Sequence, residues 1–229
     1  MAVDIKFCGM TREEDVVMAR TLGARYLGFV FAPSPRQITT ARAQELLHAL
    51  ASAGDDTHSA AQAHREPQRV GVFANATADE IARIVDMLSL DVVQLHGAGD
   101  GTLVRTLRSL TQARLWTVVQ VGPEGLDVPA IEKAMEGDAV LLDAKVEGAL
   151  GGTGRSFEWA AVGNHLEPYR TIRPIILAGG LTSENVARAI AVLAPHAVDV
   201  SSGVERFPGI KDEARMRAFW HAVMGVAAP

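Results

Sequence analysis

A single cysteine, Cys8, in 229 residues leaves no internal disulfide to form, so packing must hold the fold and a reducing cytoplasmic setting is expected. Long apolar runs are also missing. The stretch ending at Leu142 falls far short of the ~20 residues that a membrane-spanning helix needs, and Met1-Ala2-Val3-Asp4 lacks the basic start of a secretory leader, so no membrane partner is expected. Positive charge is scarce: 22 Lys and Arg face 27 Asp and Glu, for a formal net charge of -5. Such a chain has no overall attraction for nucleic acid, and an anionic ligand must be held by local groups. No Ser/Gly-rich or charged tract splits the chain, which argues for one domain spanning 1-229.

What is present is a composition with a substantial core, 48% hydrophobic and 21% charged, arranged in alternating periods. Short β-branched or aromatic runs alternate with amphipathic stretches of helical period. Strands are expected near 3-8, 26-31, 69-74, 91-95, 115-120, 138-143, 174-178 and 197-200, and helices near 12-22, 40-52, 78-89, 100-110, 128-136, 156-164, 183-194 and 212-224. Thr11, Thr77 and Thr182 or Ser183 precede acidic first turns and read as helix caps. Eight strand-helix pairs predict an α/β fold, a closed (β/α)8 TIM barrel. An open doubly wound sheet is the competitor, but it normally carries a glycine-rich fingerprint after the first strand, where this chain has Cys8-Gly9-Met10-Thr11. The polar segment at about 52-67 is expected as an exposed, mobile insertion on the face opposite the active site, with His58 and His64 solvated rather than bound to metal.

Strand parity orients the first strand. Val3, Ile5 and Phe7 share the face turned to the helices, while Asp4, Lys6 and Cys8 point into the barrel, with Cys8 at the C-terminal mouth where barrel enzymes place their chemistry. Asp143 ends the apolar sixth strand at the same mouth. Counting backwards around the closed sheet separates Cys8 and Asp143 by three strand steps, on nearly facing walls. Gly151-Gly152-Thr153-Gly154, Gly179-Gly180 and Ser201-Ser202-Gly203 follow strands six, seven and eight; glycine lets a backbone approach an anion closely, so Gly152, Gly154, Gly179, Gly180, Ser202 and Gly203 are candidate phosphate contacts. Arg36 emerges from the proline-stiffened loop Ala32-Pro33-Ser34-Pro35-Arg36 and is suited to a carboxylate, although a solvated arginine is the commoner fate. His96, at the end of strand four, either lines the pocket or bonds to a loop.

Taken together, Lys6-Phe7-Cys8-Gly9-Met10-Thr11, Gly28-Phe29-Val30-Phe31, Ser34-Pro35-Arg36, Val72-Phe73, Gln94-Leu95-His96-Gly97, Leu142-Asp143, Gly151-Gly152-Thr153-Gly154, Leu177-Ala178-Gly179-Gly180-Leu181 and Asp199-Val200-Ser201-Ser202-Gly203-Val204-Glu205 resemble the phosphoribosylanthranilate isomerase family from residue 5 to about 224. The long 52-67 segment is the main departure. The resemblance implies conversion of the small molecule N-(5-phosphoribosyl)anthranilate to 1-(2-carboxyphenylamino)-1-deoxyribulose 5-phosphate in tryptophan biosynthesis, with no cofactor and no metal. It also implies Asp143 as general acid on the ring oxygen, Cys8 as general base on the sugar C2 proton, Arg36 on the anthranilate carboxylate, and the glycine loops as phosphate grip and lid.

Those roles make demands. An ordinary aspartic acid is only ~0.1% protonated at pH 7, so Asp143 needs burial or nearby negative charge to act as an acid. An ordinary thiol is only a few per cent ionised there, so Cys8 benefits from a cation. Lys6, roughly 6-7 Å along the same strand face, is either that cation or a structural partner of Asp4 or Asp199. Related barrels acting on sugar phosphates use other groups at these strand ends: aspartates in the histidine-pathway isomerase, a lysine and glutamates in indole-3-glycerol phosphate synthase. A phosphate-sugar sensor without turnover is the alternative from a different class. Monomer and homodimer both stay open, because exposed barrel helices can pair or stay solvated without an evident signal in the sequence.

Overall fold

The apolar runs become eight strands: β1 (Asp4–Cys8), β2 (Tyr26–Val30), β3 (Gln68–Ala74), β4 (Val92–His96), β5 (Arg114–Val121), β6 (Ala139–Ala144), β7 (Ile175–Leu177) and β8 (Ala197–Val200). The computed structural model describes residues 3–53, 66–97, 101–122, 124–144 and 159–226, with no side-chain statement for residue 164. The strands close in chain order into one parallel barrel, β8 returning to β1 with Asp199 opposite Lys6. Around it run α1 (Glu13–Thr21), α2 (Thr40–Ser52), α3 (Ala78–Leu88), α4 (Thr102–Leu110), α5 (Val128–Ala134), α6 (Trp159–Arg170), α7 (Val186–Leu193) and α8 (Glu213–Met224). Most of the anticipated insertion, 54–65, lies outside the described residues.

Two-residue alternation sorts the barrel into an outer and an inner surface. Ile5, Phe7, Leu27, Phe29, Val140, Leu142, Leu177 and Val198 face outward and pack with helix residues such as Val16, Leu46, Ile190 and Phe219. Inside, Tyr26, Val70, Val92, Trp116, Ala139, Leu141, Ile176 and Ala197 form an apolar floor, with Tyr26 and Trp116 edge to face at 4.8 Å between centroids. The floor matters for function because everything above it on the same strands can be polar. Lys6, Gln94, Asp143 and Asp199 occupy that upper interior, all buried.

The helix starts follow the sequence unevenly. Thr77 forms a complete capping box with Glu80 on α3. Thr11 does not cap α1, whose N-cap is Arg12 with no side-chain capping bond; the Thr11 hydroxyl instead donates to the Gly209 carbonyl. Nor does Thr182 or Ser183 open α7: Asn185 is the N-cap, and it accepts the Thr182 N–H in the turn before. Helix α6 runs to Arg170, beyond the expected end near 164, since Leu166 still packs into the core, and it continues despite Pro168, which has no N–H to donate.

An element not expected from the sequence follows β8. A 3-10 turn, Ser202–Val204, leads into the antiparallel hairpin β9 (Glu205–Phe207) and β10 (Ile210–Lys211) before α8. Its strands are too short for periodicity to reveal. The Pro208-Gly209 turn, with Gly209 at φ +80°, is the signal that marks it.

Candidate active site

The polar upper interior opens into a cavity with about 750 Å³ of atom-free space, part of it open solvent. Its walls include Cys8, Arg36, His96, Asp143, Gly179, Gly180 and Ser202, together with Ser34, Gln94, Asp199 and Ser201. The sequence-nominated residues thus come from the ends of β1, β4, β6, β7 and β8 and from the loop after β2. Gly203 is not among the lining residues: its backbone passes so close to β7's loop that an added Cβ would sit 1.9 Å from the Leu181 carbonyl oxygen. Gly152 and Gly154 lie outside the described residues.

Cys8 points inward as parity required. Its sulfur occupies space left by Gly28, where a Cβ would lie 2.7 Å from Sγ. Burial pushes the thiol above its ordinary pKa, and the cationic Lys6 pulls the other way. Lys6 donates to Asp199 Oδ2 at 2.8 Å and is itself fully buried. Both readings of Lys6 therefore describe parts of one arrangement, since the ammonium is paired with Asp199 and also favours the Cys8 thiolate.

Asp143, next to last in β6, lies on the other side of the cavity. Burial first, and the charge of Asp199 second, raise its pKa to about 7. The Ala144 N–H and Lys6 oppose this without cancelling it. A carboxyl in that state holds its proton in about half of the molecules at neutral pH, the property an acid catalyst needs. Gly179, at φ +86°, makes its close approach possible: a Cβ there would meet Ala144 N at 2.4 Å and Asp143 Oδ1 at 3.0 Å.

His96 lines the pocket, with Nε2 at 3.0 Å from Gln94 Nε2. Burial, and then the charge of Lys6, lower its pKa to about 4, so the ring is neutral near pH 7. Since an amide N–H can only donate, Nε2 accepts and Nδ1 carries the hydrogen. His96 Nδ1, Gln94 Oε1 and Asp199 Oδ1 are buried and have no hydrogen-bond partner among the described residues. All three belong to residues that line the cavity.

The loop after β2 is locked to the hairpin. Arg36 donates Nε to Glu205 Oε1 at 2.8 Å and Nη2 to Glu205 Oε2 at 2.7 Å, both residues largely buried. Lys211 Nζ donates to Glu205 Oε1 at 2.9 Å and to the carbonyl oxygens of Cys8 and Ser201. Desolvation works against the Glu205 carboxylate, but Arg36 and Lys211 outweigh it and hold its pKa below the usual range. Glu205 closed a recognised motif in the sequence without a role, and Lys211 carried no signal at all. Among the described residues, no group of three or more His, Cys, Asp or Glu side chains is placed to hold a metal ion, and no helix is long and apolar enough to cross a membrane.

The family model for N-(5'-phosphoribosyl)anthranilate (PRA) isomerase matches residues 5–222. The N-(5'-phosphoribosyl)anthranilate isomerase of Pseudomonas aeruginosa (strain LESB58) is 41% identical, the match covering 97% of this chain and 95% of that one. The solved phosphoribosyl anthranilate isomerase of Thermotoga maritima superposes with a TM-score of 0.79 at 34% identity, covering 97% of this chain and 99% of that chain. A further isomerase structure, in complex with reduced 1-(o-carboxyphenylamino)-1-deoxyribulose 5-phosphate, has a TM-score of 0.75 at 32% identity, covering 97% and 99%.

Proposed function

This chain belongs to the N-(5'-phosphoribosyl)anthranilate isomerase family, and on that premise we propose that it carries out, in tryptophan biosynthesis, the Amadori rearrangement of N-(5'-phosphoribosyl)anthranilate by general acid-base catalysis. Protonated Asp143 gives its proton to the furanose ring oxygen; the C1–O bond breaks and the anthranilate nitrogen lone pair forms a C1=N iminium. The Cys8 thiolate then removes the C2 proton, and the electron pair of that bond neutralises the iminium to give an enolamine. Its tautomerisation, with a proton gained at C1 and one lost from the C2 hydroxyl, yields the ketone. Ring opening and proton removal from C2 each use a side chain already at the cavity wall, Asp143 and Cys8.

Arg36 takes the anthranilate carboxylate, and His96 lies along the same pocket. Gly179, Gly180 and Ser202, lining the far rim, receive the phosphate on backbone N–H groups. Gly203 acts in this reading as a spacer that lets that rim close against Leu181. The chain is taken to act as one barrel domain in the cytoplasm.

The observation that carries the proposal is the opposition of a carboxyl with a pKa of about 7 to a buried thiol flanked by an ammonium, across one cavity. An acid and a base on different sides of one sugar is what this isomerisation requires. The test is to add freshly prepared N-(5'-phosphoribosyl)anthranilate and follow anthranilate fluorescence. Turnover is expected; a flat signal with intact binding favours the sensor reading instead.

A further inference from the structure

We propose that Glu205 is a positioning residue that aims Arg36 at the ligand carboxylate, and that Lys211 ties this clamp to the strand end carrying Cys8. The proposal rests on the reading of Arg36 given above. A guanidinium offers a carboxylate two bidentate edges, the Nε/Nη2 side and the Nη1/Nη2 end. Glu205 occupies the side edge with contacts of 2.8 and 2.7 Å. The end edge remains available: Arg36 lines the cavity, and its Nη1 has no hydrogen-bond partner among the described residues. The ion pair therefore fixes the plane of the guanidinium without consuming its ligand-binding end.

Charge points the same way. Arg36 and Lys211 share one carboxylate, so the trio keeps a net positive charge at the mouth, the sign an anionic ligand needs in a chain that is acidic as a whole. The clamp is also built into the base-bearing strand. Lys211 Nζ bonds to the Cys8 carbonyl, Arg12 Nη2 reaches the Lys211 carbonyl at 3.1 Å, and Asp15 Oδ2 accepts the Lys211 N–H at 3.2 Å. The stem of Arg36 lies across Gly9, where a Cβ would come within 2.5 Å of Arg36 Cδ. Glu205 itself accepts from four donors, two on Arg36, one on Lys211 and the Gly209 N–H at 3.3 Å. Such a saturated carboxylate has no capacity left for chemistry, which fits holding rather than catalysis.

A double-mutant cycle with Arg36→Ala distinguishes positioning from simple bracing. Glu205→Gln is expected to raise KM roughly tenfold while kcat changes by no more than about threefold, and to add nothing to the KM defect of Arg36→Ala. An unchanged KM overturns the proposal, as does an equal KM loss in the wild-type and Arg36→Ala backgrounds. Should circular dichroism show Glu205→Gln unfolded, Glu205→Asp, which keeps a charge beside Lys211 but shortens the reach, is carried through the same cycle under the same criteria. A wild-type protein that binds its substrate without turning it over, or does neither, defeats the functional reading; a working enzyme with an additive cycle defeats only the role of Glu205.

Discussion

The two sides of the cavity solve opposite problems. On the side built from β1, β8, the β2 loop and the hairpin, charged groups are held in short ion pairs: Lys6 with Asp199, and Arg36 and Lys211 sharing Glu205. On the side built from β4 and β6, burial drives groups toward neutrality, raising Asp143 to about 7 and lowering His96 to about 4, while Gln94 Oε1 and His96 Nδ1 lack partners among the described residues. Ion pairing across three chain segments braces the first side. Dehydration makes the second able to keep a proton and accept new hydrogen bonds. One barrel offers both because each strand delivers a separate residue to the mouth, so neighbouring strands can carry different electrostatics.

Breaking either side at its reactive group is expected to have the largest effect. Asp143→Asn and Cys8→Ala should each lower kcat by at least ~100-fold with little change in folding, as measured by steady-state fluorescence assay and thermal melting. Lys6→Met comes next, because it leaves Asp199 as an unpaired buried charge: roughly 3–5 kcal/mol of stability should be lost in urea titration, and the Cys8 thiol, titrated by alkylation rate, should move to a higher pKa. An unchanged thiol pKa removes Lys6 from any part in activating Cys8. Arg36→Ala should raise KM by roughly tenfold or more with a smaller change in kcat, and an unaltered KM assigns Arg36 to bracing alone.

The smallest effect is the most revealing about how the sides cooperate. The acid has the lower pKa and the base the higher, so the productive form, protonated Asp143 with Cys8 thiolate, is a minority state. Below about pH 7 Asp143 is already protonated and kcat/KM should climb as thiolate forms. From about 7 upward, loss of the Asp143 proton should offset further thiolate formation, giving a plateau. Once the thiol is fully ionised, above its ordinary range, the rate should fall. A single sharp optimum below pH 6 is incompatible with this order of ionisation.

Much of this was legible in the chain because it depended on local spacing. Alternation along Asp4–Cys8 placed Lys6 and Cys8 inside the barrel, and the Thr77/Glu80 spacing located a helix start. Asp143 was marked by a carboxylate ending an apolar run, and its chemistry demanded a raised pKa that burial supplies. What stayed hidden depends on long-range contact. The Arg36–Glu205 bond spans 169 positions and the Lys211–Cys8 bond 203, distances at which no periodicity operates. The hairpin that brings Glu205 and Lys211 into place has strands of only three and two residues. Thr11 looked like a cap because its neighbours fit the pattern; a tertiary partner, Gly209, claimed its hydroxyl.

The contrast between a charged side and a proton-keeping side is tested most directly by the titration of one carboxyl group. In protein labelled with ¹³C at aspartate side-chain carbons, with Asp143→Asn identifying the resonance, the Asp143 carboxyl is predicted to titrate with a midpoint near 7. A midpoint in the ordinary range, near ~4, would mean that this residue is ionised at working pH and does not supply the proton.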